Sequence, residues 1–268
     1  VTSSAYSLKI TVEDENIETS TSSFTNPIRI KLTPDTAITP ILTSSGAFSV
    51  YNDTTLLKNF AAASRVRVTQ SGNNFIVSSG SYKETVAGPV VFTPATNAVM
   101  QITSWEQRPA WNPSLNDNMF RGNIEIRNVD GTSTIINELS LEDYIKGIGE
   151  VSNGDPDEKI KTMMILSRSY AYYYMTQAEK FPGLPYDLDD DPNVSQKYLG
   201  YGFETRSPNV TKYAESTAAE VVTYNGTVTY ISSTSTGRFS ADGVNWSAGN
   251  SFTAKVSSGE TYVYYKDT

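Results

Sequence analysis

The sequence predicts an α+β protein: mostly antiparallel β-sheet or barrel elements in the N-terminal half, then a short and a long α-helix, then further strands. Two observations carry that prediction. From Pro27 to Ile102, short runs of alternating apolar and polar residues recur between clusters of Gly, Asn and Ser, the pattern of antiparallel strands. From Ser140 to Ala178 the apolar spacing lengthens to three and four, behind residues that start helices.

Taken in order, Leu8, Ile10 and Val12 alternate within Tyr6 to Val12 and predict a first strand, and the acidic Ser/Thr-rich run from Glu13 to Thr25 reads as a linker. Residues 1–26 are thus an N-terminal strand and linker ahead of one domain at 27–268, with a β-rich part at 27–104 and a core at 120–268. Strands are expected at Ile28 to Leu32, Phe48 to Tyr51, Arg65 to Val68, Phe75 to Val77, Val90 to Phe92 and Val99 to Ile102. The segment from Trp105 to Met119, with Pro109 and Pro113, reads as a loop. Trp105 and Trp111 either anchor that loop to the core or offer a ring on which a sugar stacks. Phe120 to Ile126 and Thr134 to Leu139 are a strand pair around an Asp130-Gly131 turn.

The helices are marked at their starts. Ser140 caps a short helix through Ile148, with Glu142 and Asp143 in its first turn. Asp155-Pro156-Asp157-Glu158 predicts a second cap, with Asp155 accepting, Pro156 at the first helical position and Glu158 closing a capping box. The long helix then runs to about Ala178, its apolar face built from Ile160, Met163, Met164, Ser167, Tyr170, Ala171, Tyr174 and Ala178. Arg168 lies at the edge of that face, either solvated or buried to pair with a carboxylate in a cleft.

Composition narrows the chemistry. The 268-residue chain has no His and no Cys, so disulfides, thiolate nucleophiles, Ser-His-Asp triads and zinc sites of thiolate or imidazole are excluded. Acid–base work falls to Asp, Glu, Tyr or Lys. A net charge of −8 gives no footprint for a phosphate backbone, so no nucleic-acid partner is expected. No apolar run reaches the ~20 residues of a transmembrane helix, and no signal peptide opens the chain, so export would use one removed or lying outside it. The 17 Tyr and abundant Ser and Thr suit a cell-envelope, cell-surface or secreted protein. The strand-like Thr261 to Tyr265 suggests that more chain follows Thr268.

Asn137-Glu138-Leu139-Ser140-Leu141-Glu142-Asp143-Tyr144 resembles the "VNELxLEDYLxGV" signature of the stage II sporulation protein D (SpoIID/LytB) family. The long helix, with Arg168 and Tyr170 in place, is similar to the family's "EALKAQAxAARTYA" helix. Phe120 to Ile126 resembles its "YRGxLEV" strand, Ser195 to Tyr198 its "CQxY", and Thr223 to Arg238 its "YxGxxIxxYFSSSxGRT" segment. The resemblance covers roughly residues 27 to 268. It implies a peptidoglycan lytic transglycosylase that cleaves between N-acetylmuramic acid and N-acetylglucosamine and leaves a 1,6-anhydro end. The LytB branch implies instead a non-catalytic glycan-binding or amidase-enhancing module. Partners would be glycan strands and a cell-wall amidase, and no cofactor is expected.

The resemblance puts the catalytic carboxyl at Glu150, on a loop two residues shorter than the family's, and substrate contacts at Arg168, Tyr170, Gln196, Tyr198, Ser232, Ser233, Ser235 and Arg238. One carboxyl suffices for this reaction: it protonates the departing glycosidic oxygen, then takes the proton of the sugar's own C6 hydroxyl as that oxygen closes on the anomeric carbon. The acid must begin protonated, which partial burial against apolar walls would favour. Gly147 and Gly149 would leave room for the glycan. Some members carry Cys and His where this chain has Asp187 to Tyr198, so no metal is expected; the acidic run, which lacks the Gly and distal Glu of an EF-hand calcium loop, reads as a solvated loop rather than a calcium site. A surface component that reuses the fold as architecture is a third reading.

Overall fold

Alternation of buried and half-exposed residues builds the strands, as in β1 (Ile28–Leu32), where Ile28, Ile30 and Leu32 point inward while Arg29 and Lys31 do not. Each such buried side chain stabilises the fold by roughly 1.5–3 kcal/mol. The computed structural model describes residues 24–34, 38–109 and 111–224, and beyond them the strand segments 227–228, 238–240, 247–248 and 264–266. The strand expected at Tyr6 to Val12 and most of the linker after it lie outside the described residues.

After β1 come β2 (Ile41–Ser44), β3 (Phe48–Asn52), β4 (Thr55–Phe60), β5 (Val66–Ser71), β6 (Asn74–Ser79), β7 (Tyr82–Val86), β8 (Val90–Pro94) and β9 (Met100–Ile102). Then follow β10 (Met119–Phe120), β11 (Asn123–Val129), β12 (Thr132–Leu139), α1 (Leu141–Lys146), α2 (Asp157–Thr176), β13 (Leu188–Asp189), α3 (Gly200–Arg206) and α4 (Pro208–Ser216). The C-terminal strands are β14 (Thr223–Tyr224), β15 (Thr227–Val228), β16 (Arg238–Ser240), β17 (Ser247–Ala248) and β18 (Tyr264–Lys266).

The protein is therefore α+β, with antiparallel strands in its N-terminal half, then helices and further strands. The strands form a seven-stranded sheet, ordered β13-β1-β12-β11-β8-β3-β4, and a six-stranded sheet, ordered β10-β9-β2-β5-β6-β7. Every pairing in these two sheets is antiparallel except β1 with β13. The two sheets feed one continuous core, joined by Leu141, Tyr144 and Ile145 of α1 and Ile160, Met164 and Ala171 of α2. Two small sheets, β14-β15 and β17-β16-β18, follow. Among the described residues no helix is long and apolar enough to cross a membrane.

Local chemistry sets the connections. Asp130 and Gly131 both take positive φ, 50° and 84°, which makes the two-residue turn between β11 and β12 that an Asp-Gly pair favours. Ser140 Oγ accepts the Asp143 N–H at 3.1 Å and starts α1, a cap that stabilises by about 1 kcal/mol. The start of α2 departs from expectation. Pro156, with ψ at 140°, is itself the residue before the helix, so no side chain caps α2. Asp155 instead accepts the Ser152 N–H at 2.9 Å, and Glu158 pairs with Lys161 at 2.7 Å rather than closing a capping box.

Candidate functional site

The signature residues fold into a frame. Asn137, fully buried on β12, donates through Nδ2 to the carbonyls of Arg121 at 2.8 Å and Asn123 at 3.0 Å. Its Oδ1 accepts the Tyr198 hydroxyl at 2.8 Å. Glu138 reaches across to Arg29, and Leu139 is buried. Tyr144 donates to Gln196 Oε1 at 3.2 Å. Burial of the Tyr144 and Tyr198 rings pushes both phenols well above the ordinary tyrosine value, so both are neutral donors. Trp105, Phe120, Tyr198 and Tyr144 pack in succession through the core, the first pair T-shaped and the next two tilted, with centroids 6.1, 6.2 and 5.0 Å apart.

Arg168 belongs to this frame and is not a cleft residue. It is 0% exposed, and all five of its N–H groups have acceptors within the protein. Nε and Nη2 fork onto the Glu142 carboxylate, Nη2 also donates to Ala214 O, and Nη1 donates to Met164 O and Glu220 O. One guanidinium thus ties α1, α2 and the end of α4 together, which leaves it no donor for a ligand. Gln196 and Tyr198 are likewise buried, held by Tyr144 and Asn137, and do not line a cleft. Tyr170 is half-buried, accepting from Lys180 Nζ and meeting Tyr174 at a ring distance of 5.0 Å. Ser232, Ser233 and Ser235 lie outside the described residues. Arg238 is described only by its backbone, in β16 opposite Ala248 and Lys266.

Glu150 follows α1 on a turn laced to the strand-like segment 197–199. Gly149 N–H donates to Lys197 O at 2.8 Å, Leu199 N–H to Gly147 O at 2.9 Å, and Ile148 bridges Tyr198. The Lys197 N–H donates to Glu150 Oε1 at 2.6 Å, which fixes the carboxylate. Contrary to the burial expected of it, Glu150 is exposed, because the turn presents it outward from this lacing. The two glycines serve packing rather than ligand access. A Cβ at Gly147 would meet Tyr198 Cε2 at 2.5 Å, and one at Gly149 would meet Leu199 Cδ1 at 2.7 Å.

Beside this turn lies a groove of about 460 Å³, lined by Gly149 and Val151 on either side of Glu150. Leu199 and Phe203 give it apolar surface, Lys197 and Arg206 give it cations, and Trp111 stands over it from the 105–118 loop. Arg206 is forked onto the buried Asp117 carboxylate, with Nη2 2.8 Å from Oδ2. The two tryptophans differ: Trp105 is fully buried and anchors the loop, whereas Trp111 is 74% exposed. The groove offers an extended ligand apolar faces and cations, beside the turn that carries Glu150.

The acidic run is not a solvated loop. Asp189 and Asp190 are 3% and 5% exposed because they turn onto β1. Asp189 pairs with Lys31 at 2.9 Å, and Asp190 accepts the Thr33 N–H at 2.9 Å. Burial, and next the adjacent Asp189 charge, push the Asp190 carboxyl up to about 8. Among the described residues no group of three or more acidic side chains could hold a metal ion. Helices α3 and α4, which supply Phe203, Arg206 and the Ala214 carbonyl, were not expected; their mixed sequences carry a Pro208 start as the one local signal.

Comparison with known proteins agrees with the frame. The chain is similar to an uncharacterized protein of Brachyspira hyodysenteriae, 33% identical over 125 residues that make up 44% of this chain and 32% of that protein. The match thus spans about a third of the relative's length. Residues 129–224, from the end of β11 to β14, match the family described as SpoIID, Stage II sporulation protein. Those residues hold Asn137, Glu142, Tyr144, Arg168 and Tyr198, and the chain therefore carries a SpoIID-family domain.

Proposed function

We propose that the protein is a peptidoglycan lytic transglycosylase acting outside the cytoplasm, with Glu150 as its single acid–base group. The observation that carries this reading is the position of Glu150, between two residues that line the groove, on a turn whose carboxylate is fixed by the Lys197 N–H. Oε1 is occupied by that hydrogen bond, and Oε2 has no protein partner among the described residues. A glycan laid along the groove covers the carboxyl and excludes water, so the dryness that the reaction needs comes with the substrate. Oε2 then protonates the glycosidic oxygen as the bond to the anomeric carbon breaks, and takes back a proton from the C6 hydroxyl as that oxygen closes the anhydro ring. No second catalytic carboxylate is needed. Asp117, the one acid among the residues lining the groove, is committed to Arg206.

The test is mass spectrometry of products after purified protein meets peptide-free glycan strands. Anhydro-ended fragments are expected from the native protein and none from Glu150→Gln. Equal product from that variant overturns the assignment. The exposure of Glu150 in the free protein favours one second reading, a glycan-binding module that activates a cell-wall amidase without cutting. In that case glycan binds, no anhydro ends form, and Glu150→Gln stimulates the amidase as well as the native protein does.

A further inference from the structure

Trp111 is an apolar ring exposed on a loop whose other described residues are tied by hydrogen bonds. Its loop is pinned from within: Asn116 accepts the Gln107 N–H at 2.8 Å and donates to Trp105 O at 2.9 Å, and Asp117 N–H donates to Gln107 O at 3.0 Å. Arg108 Nη1 reaches Pro113 O at 3.0 Å, and Asn112 N–H reaches Pro109 O at 3.0 Å. The loop's other tryptophan, Trp105, is the one that anchors it. Trp111 contributes little to the core at 74% exposure, and it lines the groove beside the turn that carries Glu150.

The charges of the same groove are unequal in their commitments. Arg206 is matched by Asp117 and Arg108 by Glu106. Lys197 lines the groove beside them, and among the described residues no carboxylate lies within ion-pair distance of its ammonium. Its backbone N–H, not its side chain, holds Glu150. In a chain of net charge −8, an unmatched cation next to a candidate catalytic carboxylate is complementary to an anionic group on the ligand.

We propose that Trp111 and Lys197 form a two-point saccharide subsite: the indole takes the apolar C–H face of a hexose ring, and the ammonium pairs with a carboxylate carried by that saccharide. The occupant is an acid-bearing amino sugar in a glycan chain, such as one with a 3-O-lactyl group, in preference to a neutral N-acetylglucosamine chain. This rests on the reading of the groove as a glycan site. It adds which residues recognise the sugar and by what chemistry.

The experiment is calorimetric titration of the full chain with two probes: a neutral N-acetylglucosamine oligosaccharide and a peptide-free alternating glycan containing muramic acid. Trp111→Ala is expected to weaken both by about tenfold, since stacking is blind to charge. Lys197→Gln is expected to weaken only the muramic-containing probe, by about fivefold, and to abolish the salt dependence of its binding. Near-ultraviolet circular dichroism checks that Trp105 keeps its native signal in both variants. Unchanged affinities in Trp111→Ala, equal losses for both probes in Lys197→Gln, or no binding of either probe to the native protein overturns the proposal. Tight, Lys197-dependent binding without anhydro products sinks the transglycosylase reading and leaves the subsite standing. Anhydro products at native KM from both variants do the reverse.

Discussion

Arg168 and Glu142 sit on separate helices and meet fork to fork, Nε 3.0 Å from Oε1 and Nη2 2.9 Å from Oε2. Glu142 Oε1 also accepts the Ala219 N–H at 3.0 Å, so the pair closes α1, α2 and the chain after α4 into one unit. Its guanidinium is fully buried, and its partner is a third exposed at 33%. A buried charge in this position is stable only while its acceptors stay in place.

Arg168→Lys keeps the charge and loses the fork, stranding at least two acceptors in the interior. A loss of about 3 kcal/mol is expected, read as a lower urea midpoint with an unchanged slope. A variant as stable as the native protein would remove Arg168 from the frame.

Tyr198→Phe deletes one hydroxyl and leaves the ring packing against Phe120 and Tyr144. Asn137 Oδ1 then loses its 2.8 Å donor in a fully buried site, and a cost of about 1–2 kcal/mol is expected in urea unfolding. In a double-mutant cycle with Asn137→Ala, the two losses are expected to be clearly less than additive.

Asp190 makes stability depend on pH. The unfolded chain releases this proton near 3.8, while the folded protein keeps it to about 8, so the folded state binds more protons in between. Stability from this group is therefore full below the lower value and falls as pH rises through the window, by up to about 1.4 kcal/mol per pH unit. Asp190→Asn is expected to flatten that slope, so its urea midpoint gains on the native protein as pH goes from 4.5 to 7.5. Lys31 and Asp189 remain beside it in both proteins, so the comparison isolates the one carboxyl. Parallel pH profiles for the two proteins would show that Asp190 is ionised throughout.

Two glycines separate conformational strain from crowding. Gly131 has φ +84° with open space around a would-be Cβ, and Gly131→Ala is expected to cost about 1 kcal/mol through its backbone alone. Gly122 has φ +72°, and a Cβ there would lie 2.3 Å from Glu138 O and 2.7 Å from Leu139 Cβ. Gly122→Ala is expected to cost more than about 3 kcal/mol, because the obstacle is sheet backbone that cannot step aside. Thermal melts of the two variants side by side check the ordering.

Where a local pattern decided the structure, the sequence was readable. β1, β11, β12 and both early helices follow from alternation, an Asp-Gly turn and a serine cap, all interactions within a few residues. β4 was not legible, because as an edge strand it buries almost nothing and shows no alternation. Nor was the Asp155 cap: its carboxylate had a backward partner in Ser152 that no helix template contains. At the candidate site, the motif marked a segment but not the contacts its residues make. Whether Arg168, Gln196 and Tyr198 face a groove or each other depends on contacts made across 26, 52 and 61 residues of chain, which spacing alone does not encode.

The inward orientation of Asn137, Tyr144, Arg168 and Tyr198, and the commitment of Glu142 to Arg168, have a practical corollary for anyone surveying related genes. Those positions answer to foldability, so a saturation-mutagenesis screen scored by expression would rediscover most of the diagnostic motif without a single turnover being measured. Position 150, exposed and tied by a single hydrogen bond to the Lys197 N–H, would show weakly in such a screen and, under the proposed function, strongly in one scored on cell-wall chemistry.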